Sequence, residues 1–170
     1  MTAAIDPAGS RSRPNGGWPK PALIARSPEP LGREELIDLA EQVASVGLMS
    51  LSVRQPWAHH ILYHGKDIEN RRWPTRYRGW MLIHSPAKSL AGSTGDRATS
   101  AIIGAVKLVD CVCTSDSPWF SGPHGLVLEA RLVLPRPVPA RGRPRLFRSS
   151  PEELERACAA LRTIAEAQAS

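Results

Sequence analysis

Cysteine is scarce: Cys111, Cys113 and Cys158 are an odd number with no CxxC spacing, which builds neither a disulfide framework nor a zinc site and reads as reduced thiols. Long apolar runs are missing, since nothing approaches the roughly 18 consecutive apolar residues of a membrane span. The first thirty residues carry Pro, Gly and Arg where a signal peptide needs an apolar segment. A soluble, cytoplasmic protein with no membrane contact is expected. The five histidines (His59, His60, His64, His84 and His124) offer no H-x-x-x-H helical pair with an acid, so neither a metal nor another cofactor is expected. Acid is outnumbered, 16 Asp and Glu against 22 Lys and Arg, for a net charge of +6. That balance favours polyanionic partners, nucleic acid first.

What is present is ordinary for a globular chain: 42% hydrophobic and 22% charged residues over 170 positions, which excludes wholesale disorder, collagen and coiled coil and fits one domain with tails. Residues 1–30 are rich in Pro and Gly and are expected to be a disordered arm. Over 31–47, Leu36, Leu39, Ala40, Val43 and Val46 recur at helical spacing, with acids in the first turn and Gly47 as C-cap; an appended amphipathic helix follows. LMSLSV (48–53) reads as a strand. PWAHHILYHGK starts a helix at Pro56 that Gly65 ends, and DIENRRW reads as a short strand. PTRYRG is a turn, WMLIH a buried strand, and 89–99 a loop. AIIGAVKLVDCVC and GLVLEARLVLP are two longer strands around a Pro/Gly loop, TSDSPWFSGPHG. The span 135–148 is basic and proline-studded, with a short strand near its end. Residues 149–170 carry a Ser150 cap, Pro151 at the first position and early acids, which predicts a closing helix. Five or six short strands without regular strand–helix alternation indicate an α+β, mainly β fold: a small barrel with flanking helices.

The positive charge is concentrated. Residues 51–78 carry a local +4 and residues 131–148 a local +6, while the helices expected at each end are acidic. Such stripes suit phosphates. In the first stripe Arg54, Arg71, Arg76 and Arg78 interleave with Trp57, Trp73, Tyr77 and Trp80, a pattern suited to single-stranded nucleic acid, where bases stack and phosphates pair. Trp57 and Trp80 fall on apolar faces and are expected in the core, whereas Trp73 and Tyr77 lie in a charged turn. Arg141, Arg143 and Arg145 fit either a phosphate contact or a solvated loop. Glu69 and Arg71, two apart on an extended segment, point to one face and can pair or share a ligand. Lys66 adds a mobile cation at the helix end. The same trio would also serve as a salt bridge tying helix to sheet.

The ordered segments SVRQPWA, K-x-I-E-N-R, W-P-T-x-Y-R-G and L-I-H, continued by AIIGAVKLVDCV, SPWFSGPHGLVLE and LPRPVPARGRPRLF, resemble the ASCH-domain family across roughly residues 48–148. The resemblance implies a PUA-like β-barrel with a cleft lined by Lys66, Glu69 and Arg71, with Arg54 and Gln55 nearby. The family usually has Gly two residues before the lysine; here that position is His64, which would narrow the approach to Lys66 or add a proton donor.

On this resemblance the leading expectation is a module for single-stranded or modified RNA, with Trp73 or Tyr77 stacking, Arg71, Arg76 and Arg78 meeting phosphates, and Lys66 with Glu69 reading a base edge. The alternative is an amidohydrolase, because some members of the superfamily deacetylate N4-acetylcytidine with a lysine and a threonine three residues later. Here Glu69 holds the threonine position and would act on water directly, with Lys66 stabilising charge or accepting a proton and Arg71 orienting the base. Metal-dependent RNA cleavage ranks third because the carboxylates are scattered. A protein-interaction module with a basic docking face is a further class, and oligomeric state is open.

Overall fold

The computed structural model describes residues 31–88 and 97–169, so the arm expected at 1–30 and most of the loop expected at 89–99 lie outside the described residues. The chain runs α1 (Arg33–Ser45), β1 (Met49–Ser52), α2 (Trp57–Tyr63), β2 (Ile68–Arg71), β3 (Gly79–Ser85), β4 (Ala101–Val112), β5 (His124–Pro139), β6 (Leu146–Arg148) and α3 (Pro151–Ala169). The six strands form one mixed sheet in the order β2-β5-β4-β3-β1-β6. Only the β1–β3 pair is parallel. The sheet curves into a half-barrel with three helices around it, the α+β, mainly β architecture read from the sequence.

Period-two alternation divides the core between the two faces of the sheet. Along β3, Met81 and Ile83 join the cluster under α2 with Ile61 and Leu62, while Trp80 and Leu82 join the cluster under α1 and α3 with Leu39, Ala157 and Leu161. A strand covered on both faces reads as an unbroken apolar run, which is why WMLI shows no alternation. On β5 the alternation is only partial because Ala130 sits at a positive φ of 38° beside a register shift. Leu126 and Leu128 therefore face one cluster, while Leu132 and Leu134 face the other despite their even numbering.

β5 extends to Pro139, beyond the end expected near residue 135. Its prolines are tolerated because the pairing jumps from Gly104↔Val133 to Ile102↔Val138, and because β2 covers only residues 124–127 on the other side. At the chain's far end, Ser150 and Glu153 cap α3 reciprocally: the Glu153 amide donates to Ser150 Oγ at 3.2 Å and the Ser150 amide to Glu153 Oε2 at 2.9 Å.

α1 is tied to the sheet by an ion pair between Asp38 and Lys107 of β4 and by Gln42. Gln42 Nε2 donates to the Trp80 carbonyl at 2.8 Å, and Gln42 Oε1 accepts from the Trp80 amide at 2.8 Å, so the amide pairs with the backbone as a neighbouring strand would. Gly79 permits this approach. Its φ is 117°, and a Cβ there would lie 2.5 Å from Gln42 Oε1.

Candidate nucleic-acid interface

The end of β1, the start of α2, β2 and the segment after β5 converge on a cleft with two compartments. The larger, about 850 Å³, is lined by Arg54, Arg71, Arg141 and Arg143, with Ser52 and His84 in its wall. The smaller, about 280 Å³, is lined by Trp57, Trp119 and Phe120 together with Lys66 and Asn70. Trp57 and Glu69 line both.

Glu69 joins the two chemically. Its Oε2 accepts from Lys66 Nζ at 2.9 Å and its Oε1 pairs with Arg71 Nη2 at 3.1 Å. Strand spacing explains the second contact, because residues two apart share a face. The first contact overturns the expectation of a mobile lysine. Lys66 is only 3% exposed, also donates to the Ile68 carbonyl, and lies 5.9 Å from the Trp119 ring centroid. A buried ammonium persists because it is paired and hydrogen-bonded. Each Glu69 oxygen thus already holds one cation.

Trp119 and Phe120 reach the cleft through β2's own polar side chains. Asn70 Nδ2 donates to the Trp119 carbonyl at 2.7 Å and Asn70 Oδ1 accepts from the Ser121 amide at 2.8 Å, while Ser117 Oγ donates to Asp67 Oδ1 at 2.6 Å. The loop that reads as a Pro/Gly connector in the sequence is therefore a fixed wall.

Arg141 and Arg143 are presented by a segment whose backbone is tied down at several points. The Ala140 amide donates to the Ser100 carbonyl at 3.0 Å, His84 Nε2 lies 3.1 Å from the Ala140 carbonyl, and the Arg141 amide donates to Glu153 Oε1 at 2.7 Å. Ser52 Oγ lies 3.1 Å from both the Arg143 carbonyl and His84 Nδ1. His84 is fully buried. Burial pulls its pKa down, and the Ala140 carbonyl and the Glu153 carboxylate pull it part of the way back.

The other residues singled out in the sequence are spread more widely. Gln55 is buried, accepting the His59 amide at 3.2 Å and donating to the Ala98 carbonyl at 3.3 Å, so it shapes the start of α2. Trp73 is flanked by two guanidiniums, Arg71 and Arg145, each 5.9 Å from its centroid. The Tyr77 hydroxyl donates to the Trp80 carbonyl and accepts from Gln42 Nε2 at 2.7 Å, and burial pushes its pKa up. Arg78 pairs with Asp110 at 2.8 Å. Arg76 is exposed and lines neither compartment. His64 is exposed and lines neither compartment, whereas His59 and His60 are half-buried.

Residues 51–162 match the family model described as the ASCH domain. The chain belongs to the ASCH-domain family. No curated protein matches it. The match runs past the basic segment into α3, in keeping with the packing of Ala157 and Leu161 in the same cluster as Trp80. Within this ASCH domain the sequence had singled out the Lys66–Glu69–Arg71 trio but not Asn70, Trp119, Phe120, Ser52 or His84. Asn70 stands inside the K-x-I-E-N-R segment and Trp119–Phe120 inside SPWFSGPHG, so both carried a signal. Among the described residues, no group of three or more His, Cys, Asp or Glu is arranged to hold a metal ion, and no helix is long and apolar enough to cross a membrane.

Proposed function

We propose that this ASCH domain binds single-stranded or modified RNA, with a phosphate in the arginine-lined compartment and an unpaired base in the aromatic one. The observation that carries this reading is the shared wall of Trp57 and Glu69 between the two compartments. A nucleotide has the same division, an anion at one end and a π-face at the other. Trp119 and Trp57 are the stacking rings. Tyr77 is committed to α1, and Trp73 already carries two arginines. Of the three ammonium donors of Lys66, two are used by Ile68 and Glu69, which leaves one for a base-edge acceptor.

Fluorescence anisotropy of a labelled single-stranded RNA, titrated at about 50 and about 200 mM salt, tests this reading. Affinity is expected to fall steeply with salt, and the Arg141→Ala/Arg143→Ala double variant should bind more weakly with a shallower salt slope. No binding at low salt would overturn it.

The amidohydrolase reading retains one supporting observation, the Lys66 ammonium held in the base-sized compartment beside a carboxylate. Incubation with N4-acetylcytidine followed by chromatography tests it. Deacetylation lost in Lys66→Ala would establish it, and no product would leave RNA binding alone.

A further inference from the structure

The rings of the aromatic compartment continue onto the surface of α2. In HHILYHG the i, i+4 spacing sets His59 above Tyr63 and His60 above His64 in two adjacent rows. The His60 ring centroid is 5.6 Å from Trp119 and 5.7 Å from Trp57. His64 lies 5.2 Å from His60 and 4.9 Å from His59, and His59 lies 4.6 Å from Tyr63. A connected series of rings thus leads from Trp119 out to Tyr63, which is 43% exposed.

Among the described residues, the charge that acts on the α2 imidazoles has one sign. The groups whose charge acts on His59 are His64 and Arg97, and those acting on His60 are His64, His59, Arg97 and Lys66. No carboxylate is among them. Burial, followed by neighbouring imidazole and guanidinium groups, holds both imidazoles below their ordinary pKa, so near neutral pH they present uncharged rings. His60 Nδ1 is buried without a hydrogen-bond partner.

We propose that this face of α2 is a second subsite of the cleft, one that stacks the base of the nucleotide flanking the bound one in a single-stranded RNA. Uncharged rings with the Arg97 guanidinium beside them complement a chain of bases and phosphates, and histidine is among the side chains on which unstacked bases lie. The face is continuous with the base compartment through His60. The proposal rests on the nucleic-acid reading above and extends it from one nucleotide to at least two.

Labelled ribonucleotides of increasing length, from one to eight residues, distinguish the two claims by anisotropy. The unaltered protein should gain affinity with each added nucleotide up to the length that reaches α2. His59→Ala/His64→Ala should lose about 5-fold or more on the oligomers, little on the mononucleotide, and keep the circular dichroism of the unaltered chain. His59→Phe/His64→Phe, which retains rings, should restore the affinity. If the alanine variant binds every length as the unaltered protein does, or the phenylalanine variant is as weak as alanine, the subsite is refuted while RNA binding stands. If the unaltered protein binds no oligomer at low salt, both readings fall together.

Discussion

Glu69 holds two cations, one of them almost fully buried, so the order in which the trio's members can be removed follows from who is left unpaired. Glu69→Ala leaves the Lys66 ammonium with the Ile68 carbonyl alone and is expected to cost about 3–5 kcal/mol, the range for stranding one member of a buried pair. Lys66→Met removes the deeper charge, fills much of the same volume and leaves Glu69 paired with Arg71, so its loss should be clearly smaller. Urea unfolding of both variants checks this, and equal losses would mean that Arg71 does not sustain the carboxylate. Part of the trio was legible in the sequence, because strand periodicity alone places Glu69 beside Arg71. The burial of Lys66 was not, since the ring that covers it belongs to Trp119, 53 positions later, and is brought there by Asn70. Local spacing carries no information about a wall that comes from so distant a loop.

Two of the chain's elements are placed by a glycine set against a polar side chain. The segment after β5 lies on His84 and Ser52 so closely that a Cβ on Gly142 would meet the His84 ring and come within 2.8 Å of Ser52 Oγ. Gly142→Ala should therefore lift Arg141 and Arg143 from the cleft at a stability cost of about 1–3 kcal/mol, and weaken RNA binding with a shallower salt slope, as removing the arginines would. An unchanged slope would show that the arginines act without the support beneath them. At the opposite face, Gln42→Ala would strip the Trp80 amide of its Gln42 partner and leave the Trp80 carbonyl with the Tyr77 hydroxyl alone. A loss of about 1–3 kcal/mol is expected for buried polar groups left unsatisfied, read as a lowered urea midpoint with α1 loosened in hydrogen exchange. The strands and helices themselves were legible from periodicity and caps. The role of the 135–148 span was harder to read, because its prolines argue for a loop until one sees that β5 bulges there and has no sheet neighbour on one side.

Across the whole molecule, a net charge of +6 and a set of histidines held below their ordinary pKa should push stability and the proposed RNA binding in opposite directions as pH falls. His59, His60 and His84 are all lowered from 6.5, each first by burial. The unfolded chain then binds protons that the native fold resists, so native stability is fully present above about pH 6.5 and is lost as pH drops below it. The groups around each imidazole fix the sign. His59 faces His64 and Arg97, and His60 faces His64, His59, Arg97 and Lys66, whereas His84 alone has compensation, from the Ala140 carbonyl and the Glu153 carboxylate. Phosphates of a bound RNA would supply the missing negative charge beside α2 and draw protons back onto His59 and His60. Linkage then requires the RNA to bind more tightly at low pH. Thermal unfolding at about pH 7.5 and about pH 5.5, with and without a saturating oligoribonucleotide, should show the free protein's Tm falling toward acid while the RNA-induced rise in Tm grows. His59→Phe/His60→Phe should keep the rise but lose most of its growth with acidity, because rings stack at any pH while only imidazoles acquire charge. A growth in the rise that survives that variant would place the titrating group elsewhere and leave α2 a purely stacking surface.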